Sequence, residues 1–205
     1  MAVRDALLVL LVNGPAYGFQ LHGELAARTG GRREVNVGQT YSTLDRLSTR
    51  GLVEPAGSTD DGLPLYRLTS AGRTAADAWL AGADGTGADP WHETVDRVLI
   101  AVSMPAVDAA SVIAAERARW RDRRVAADVP TSDADWSDLD PRTRLAAAST
   151  SAELSRADAM LVWLDRIAAS DLEASAFAPS AERPRRGRRP AGSRVVAAGQ
   201  GSADA

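Results

Sequence analysis

The chain opens with a nearly unbroken apolar run, Ala6 to Val12, closed by Asn13-Gly14-Pro15, which predicts a mostly buried helix over Val3 to Val12. A second helix is predicted from Tyr17 to Thr29, with Phe19, Leu21, Leu25 and Ala26 at helical spacing and Gly30-Gly31 supplying its left-handed end. Val35 to Val37 reads as short and extended. Gly38 then leads into a third helix through Arg50, with Tyr41, Leu44, Leu47 and Ser48 on one face and Gly51 as terminator. Two extended runs, Leu52 to Pro55 and Leu63 to Leu68, flank the turn Gly57 to Gly62 and predict a hairpin. Thr69 is a suitable N-cap for a fourth helix, Ser70 to Leu80, on which Ala71, Ala75, Ala78 and Trp79 recur.

Beyond Ala81 the pattern changes. AGADGTGAD, Ala81 to Asp89, is Gly-rich and has no apolar period, so residues 83–89 are expected to be a hinge between a first domain, 1–82, and a second, 90–170. The second domain is helical throughout: Trp91 to Ser103, then Val107 to about Val129 with the ionic stretch Glu116 to Arg124, a polar loop at Pro130 to Pro141, and Arg142 to Ala169. On the last helix Leu145, Ala148, Ala152, Ala157, Leu161, Leu164 and Ala168 lie near a heptad seam, and two such helices predict a two-fold homodimer. Residues 171–205 are expected to be a disordered tail, and removal of 179–205 to leave stability unchanged, because the Pro-, Gly-, Ser- and Arg-rich stretch from Pro179 cannot bury a core. The expected fold is therefore mostly α: a winged helix-turn-helix with a β-hairpin wing, followed by an all-α dimerisation region.

Composition narrows the chemistry. Among 205 residues there is no cysteine, and all 24 basic residues are arginine, which removes thiolate, Schiff-base and phosphate-loop lysine chemistry. His22 and His92 lack partners at metal-ligand spacing, the Asp133 to Asp140 run lacks the glycine and glutamate of a calcium loop, and no nucleophile–base set is visible. Neither an enzyme, a metal site nor a cofactor is expected. The Ala6–Val12 run is too short for a membrane span, so the protein is expected to be soluble and cytoplasmic. Residues 1–82 carry 8 Arg against 8 acids, 83–170 carry 10 against 15, and 171–205 carry 6 against 4. Net charge thus supplies no strong positive field, and a nucleic-acid role has to rest on local arrangement.

The third helix provides one. Opposite its apolar face stand Gln39, Ser42, Thr43, Arg46, Thr49 and Arg50, with Asp45 between the two faces. Gln can bond adenine, Arg guanine, and Thr methyls can touch thymine, so this helix has the chemistry to enter a major groove. Tyr17 and Gly18 open the second helix, whose first-turn amides suit a phosphate. Arg32 and Arg33 fit equally well as phosphate contacts or as solvated loop residues.

Three segments, LVLLVNGPAYGFQLHGEL (Leu8 to Leu25), NVGQTYSTLDRLSTRGLV (Asn36 to Val53) and YRLTSAGR (Tyr66 to Arg73), occur in order and together resemble the PadR family of bacterial transcriptional regulators. The resemblance covers residues 3 to about 80, and residues 90–170 are loosely similar to the helical dimerisation region of larger members. It implies a sequence-specific DNA-binding regulator, a ligand-responsive repressor acting as a homodimer on a palindromic operator. It also implies that Tyr17, Tyr41 and Arg67 grip the DNA backbone and that planar aromatic effectors bind near the junction of the two regions or at the dimer centre, where Trp79, Trp91, Trp120 and Trp163 are the candidates. The wing departs from the family: Asp60 and Asp61 stand at its tip before the single Arg67. That departure, with the neutral head, keeps a second reading open, a winged-helix dimer that contacts proteins and not DNA. PRRGRRP, Pro184 to Pro190, is either an arm for DNA phosphate or a solubilising end.

Overall fold

The computed structural model describes residues 2–127 and 139–180. Helix α1 (Ala2–Leu10) runs into a 3-10 turn, Leu11–Asn13, because Gly14 adopts a φ of 129° that a helix cannot continue. A two-residue strand, β1 (Ala16–Tyr17), precedes α2 (Gly18–Arg28), and α3 (Val37–Thr49) comes after a loop. Strands β2 (Val53–Ser58) and β3 (Pro64–Leu68) form the hairpin, and α4 (Ser70–Leu80), α5 (Pro90–Ser103), α6 (Ala109–Ala127) and α7 (Pro141–Ala168) complete the order. The fold is mostly helical with a three-stranded antiparallel sheet in the order β1-β3-β2, the winged helix-turn-helix that the pattern predicts. Strand β1 was not legible, since two residues carry no alternation; Ala16 pairs with Tyr66 and Tyr17 with Leu65 only because the fold brings them together. Residues 35–37 form no strand, and Val37 already belongs to α3.

Two cores share one helix. Leu7, Leu8, Leu11, Leu21, Leu25, Leu44, Leu47, Val53 and Trp79 pack with Ile100 of α5 and with Met104, the residue that follows it. The other face of α5 gives Val95, Val98 and Ala101 to a second core with Ile113, Trp120, Ala157, Met160 and Leu164. The segment expected to be a hinge is held at several points. Arg97 and Arg123 pair with Asp84, Arg119 donates to the Ala81 carbonyl, and Arg156 pairs with Asp89, which also caps α5 through Trp91 N and His92 N.

Part of the expected seam on α7 faces inward: Ala157 and Leu164 are buried with Met160, and Leu161 packs against them. They find partners in α6 of the same chain, where Arg117 pairs with Asp165 and Arg124 with Asp158 at 2.6 Å each. Leu145 and Val162 remain outward, 73% and 51% exposed.

The expectation of an unstructured tail from 171 is corrected for its first ten residues. Residues 173–175 form a 3-10 turn, Leu172 joins the second core, and Phe177 N donates to the Ser103 carbonyl at 3.1 Å. Arg28, buried on α2 beside Glu24, donates to the Phe177 carbonyl and fixes this segment from a distance of 149 residues in sequence. The arginine-rich stretch and the Asp133 to Asp138 part of the acidic run lie outside the described residues, as does Trp136.

Candidate nucleic-acid interface

Helix α3 starts where it does because the Asn36 side chain accepts from Gln39 N at 2.7 Å, and it ends in Gly51, whose φ is 67°. Its buried side chains are Thr40, Thr43, Leu44 and Leu47. At about 100° per residue this face is rotated by roughly 50° from the one that hydrophobicity alone predicts. Burial of Thr43 is tolerated because its hydroxyl is satisfied on the Gln39 carbonyl at 2.8 Å, whereas Ser48 faces outward.

The rotation corrects the expected reading face. Thr43 is not on it, since only 7% of its surface is open. Gln39, Ser42, Arg46, Thr49 and Arg50 are exposed, and Asp45 joins them near the centre of the open side. Arg46 lies along its own helix, donating through Nε to the Ser42 carbonyl at 3.0 Å and through Nη2 to Thr43 Oγ1 at 3.3 Å. Beside this face is a groove of about 370 Å³, walled by Gln39, Arg46 and Arg50 on one side and by Arg4 and Asp84 to Thr86 on the other.

The first turn of α2 sits next to α3. A Cβ on Gly18 would stand 2.5 Å from Tyr41 Cε1, so the glycine is what lets the Tyr41 ring lie against the helix start. Gly18 and Tyr17 are buried and Tyr41 is half-buried, so these three shape the entry of α2 more than they present side chains. The N-cap Tyr17 offers α2 no side-chain acceptor, in contrast to Asn36 on α3 and Thr69 on α4. A first turn without a side-chain cap leaves its backbone amides to some other acceptor.

The hairpin is tied to the same surface. Burial, then the charge of Asp45 and the Tyr41 phenol, push the Tyr66 hydroxyl above the usual tyrosine range. Thr69 caps α4 by accepting from Gly72 N and donates its hydroxyl to the Gly51 carbonyl, so the end of α3, the hairpin and α4 meet at one point. A Cβ on Gly72 would lie 1.9 Å from the Leu52 carbonyl oxygen, which explains the glycine of the YRLTSAGR segment. Arg67 is exposed, and its guanidinium is bonded to Glu54 at 2.8 Å.

The tryptophans expected near an effector divide into two pairs. Trp79 and Trp120 are core residues whose indole N–H groups donate to Glu93 and to Thr94, at 2.7 and 2.8 Å. Trp91 and Trp163 are half-buried, and Trp91 meets Trp120 edge to face at 6.1 Å between ring centroids. Sequence reasoning missed the Asn36 cap, the outward turn of Asp45 and the Arg28–Phe177 contact. The first was visible as Asn three residues before Gln39; the last has no local signal.

Among the described residues no helix is long and apolar enough to cross a membrane. Residues 7–78 match the Transcriptional regulator PadR-like family. No curated protein matches the chain. Similar solved structures include Bacillus subtilis PadR in complex with operator DNA, 18% identical over 81% of this chain and 97% of that one, with a TM-score of 0.36. The Vibrio cholerae virulence activator AphA is 21% identical over 82% and 96%, with a TM-score of 0.33. Bacillus subtilis PadR in complex with p-coumaric acid is 17% identical over 82% and 98%, with a TM-score of 0.35.

Proposed function

We propose that this chain, whose residues 7–78 match the PadR-like family of transcriptional regulators, is a sequence-specific DNA-binding repressor that works as a homodimer in the cytoplasm. The observation that carries the reading is the exposed polar face of α3, Gln39, Ser42, Arg46, Thr49 and Arg50, standing beside the uncapped first turn of α2. One element offers donors and acceptors for base edges, and the other offers backbone amides for a phosphate. Gly18 and Tyr41 hold the two elements in register, and Tyr17 and Thr43 support them from within. Arg67 adds a backbone contact when it exchanges Glu54 for phosphate.

Dimerisation is supported by α7. Its ion pairs to α6 bring the end of α6 level with roughly residue 155, so Pro141 to Leu154 extends about 20 Å further. That stretch includes the exposed Leu145. A second copy covering it sets two reading helices on one face, about 34 Å apart for successive major grooves. Ligand response, with a planar aromatic effector against Trp91 or Trp163, requires that the ligand bind one head spacing better than the other.

Fluorescence anisotropy of the purified chain with DNA from upstream of its own gene and with scrambled DNA, at two salt concentrations, tests the proposal. Preferential, salt-sensitive binding to the upstream DNA is expected. Equal weak binding to both sinks it for that operator and favours the protein-contact reading, for which the acidic wing tip and the neutral head speak.

A further inference from the structure

We propose that the groove between α3, the start of α1 and the 84–86 loop binds a small organic anion, a carboxylate or phosphate carried on an apolar body, and that this ligand and DNA exclude each other. The exclusion rests on the DNA-binding reading above, whereas the binding site stands on its own geometry. The groove has about 370 Å³, within the range of pockets that take small organic ligands. Its charge is one-sided. Among the described residues Arg46 and Arg50 pair with no acid, and Arg46 bonds only along its own helix, to the Ser42 carbonyl and Thr43 Oγ1. Arg4 stands on the other side of the groove; it gives Nε and Nη2 to Asp5 Oδ1 and, among the described residues, has no partner for Nη1. Three guanidiniums around one opening suit an oxyanion, which each can meet with charge-assisted N–H groups.

The acids nearby are otherwise engaged. Asp84, the carboxylate of the facing wall, accepts from Arg97 at 2.8 Å through Oδ1 and from Arg123 at 3.3 Å through Oδ2. Asp45, the one acid of α3, does not line the groove. Because Arg97 is fully buried, its bond also fixes the 84–86 wall, and the Gly85 carbonyl accepts from Ala88 N at 2.9 Å to close the turn behind it. The site is thus built before any ligand arrives. Its floor is apolar: Val3, Leu47 and the buried Thr43, whose hydroxyl is satisfied on Gln39. A duplex phosphate has no use for such a floor, whereas an apolar body attached to the anion gains by covering it. Since Arg46 and Arg50 belong to both the groove and the exposed reading face, an anion that engages them withdraws them from base edges. An effector at Trp91 or Trp163 would instead act from a separate site, through head spacing.

The probe is anilinonaphthalene sulfonate, a fluorescent apolar anion, with N-phenylnaphthylamine as its uncharged counterpart. Titrated without DNA, the full chain is expected to bind the sulfonate at one saturable site, about tenfold or more tighter than the amine. Arg46→Ala with Arg50→Ala should weaken the sulfonate by about tenfold or more. Thr86→Trp, which fills the groove from an exposed position and leaves every arginine in place, should do the same with an unchanged melting temperature. Octanoate and octyl phosphate are then compared as displacers, and the stronger one names the headgroup. Sulfonate binding that is equal in the full chain and both variants, as dye on the outward apolar residues of α7 would be, overturns the site. So does displacement by neither anion.

With upstream DNA present, the apparent Kd should rise in proportion to displacer concentration, and it should stop responding in Thr86→Trp. A plateau overturns mutual exclusion, because a ligand acting from a distance leaves a finite DNA affinity in the liganded chain. If upstream DNA is not preferred over scrambled DNA while the sulfonate still separates the full chain from both variants, the DNA reading fails and the anion site stands. Preference for upstream DNA with no such separation leaves the DNA reading in place and overturns the site.

Discussion

Arg46 makes its hydrogen bonds along its own helix, and both partners, the Ser42 carbonyl and Thr43 Oγ1, are weak competitors for a guanine edge. Arg46→Ala is expected to cost about 1–3 kcal/mol of specific binding, with no change in melting temperature because the side chain is exposed; a titration against the upstream DNA reads it. Asp45 acts in the opposite sense. Its carboxylate on the open face repels phosphate and can accept from cytosine N4. Asp45→Ala should therefore raise affinity for scrambled DNA while lowering the preference for upstream DNA, and unchanged preference would remove Asp45 from the reading face. The sequence shows that α3 is amphipathic, but not by how far its apolar face is turned. Hydropathy ranks Thr43 and Ser48 alike, and it is packing against the rest of the head, with the Thr43 hydroxyl satisfied on Gln39, that puts Thr43 inside. Gly18 and Gly72 are readable as motif glycines, whereas the close approaches that require them, to Tyr41 and to the Leu52 carbonyl, come from packing.

Helix α5 carries the densest set of buried charges. Glu93, Asp96 and Arg97 are all buried on it, and Arg97 pairs with Glu116 and Asp84, while Asp96 receives Arg33 at 2.6 Å and Arg32 at 3.7 Å from the α2–α3 loop. Arginines that in sequence look equally suited to phosphate or solvent thus tie the head to α5. Arg97→Met leaves Glu116 with Arg119 as its cation and Asp84 with Arg123, so a loss of about 3 kcal/mol, the low end for breaking a buried pair, is expected, measured by denaturant unfolding. At the start of the same helix, the hydrogen bond from Arg156 holds Asp89 below the ordinary aspartate range, with the backbone amides of His92 and Trp91 adding to it. Because the folded pKa lies below the unfolded one, this contribution is complete at neutral pH. It is lost as pH falls through the folded value, in the range below about 4. Asp89→Asn should flatten that acid limb of stability and leave the alkaline limb alone. The boundaries of α4, α5 and α7 are set by Thr69, Asp89 and Asp140 as caps and by Pro90 and Pro141, all local signals. Ion pairs such as Arg156 with Asp89 join residues 67 apart and have no local trace.

For the whole molecule, the outward side chains of α7 and the docked segment 171–180 lead to two tests. Leu145→Asp with Val162→Asp alters exposed positions only, so a change from dimer to monomer in sedimentation is expected with the helical content kept. A profile equal to that of the unaltered chain would place the dimer surface elsewhere. Truncation after Ser180 should leave the melting temperature in place, whereas truncation after Ser175 removes Phe177 from Arg28 and should lower it by several degrees. The shared helix has one more consequence. Ile100 and Ala101 are neighbours in the chain yet are claimed by different cores. A protein chemist who excised the first 82 residues as a portable DNA-reading module would leave behind two of the side chains that fill its interior. A transplantable module has to be cut after Met104, and a chimera joined at the glycine-rich stretch would inherit a hole where α5 belongs.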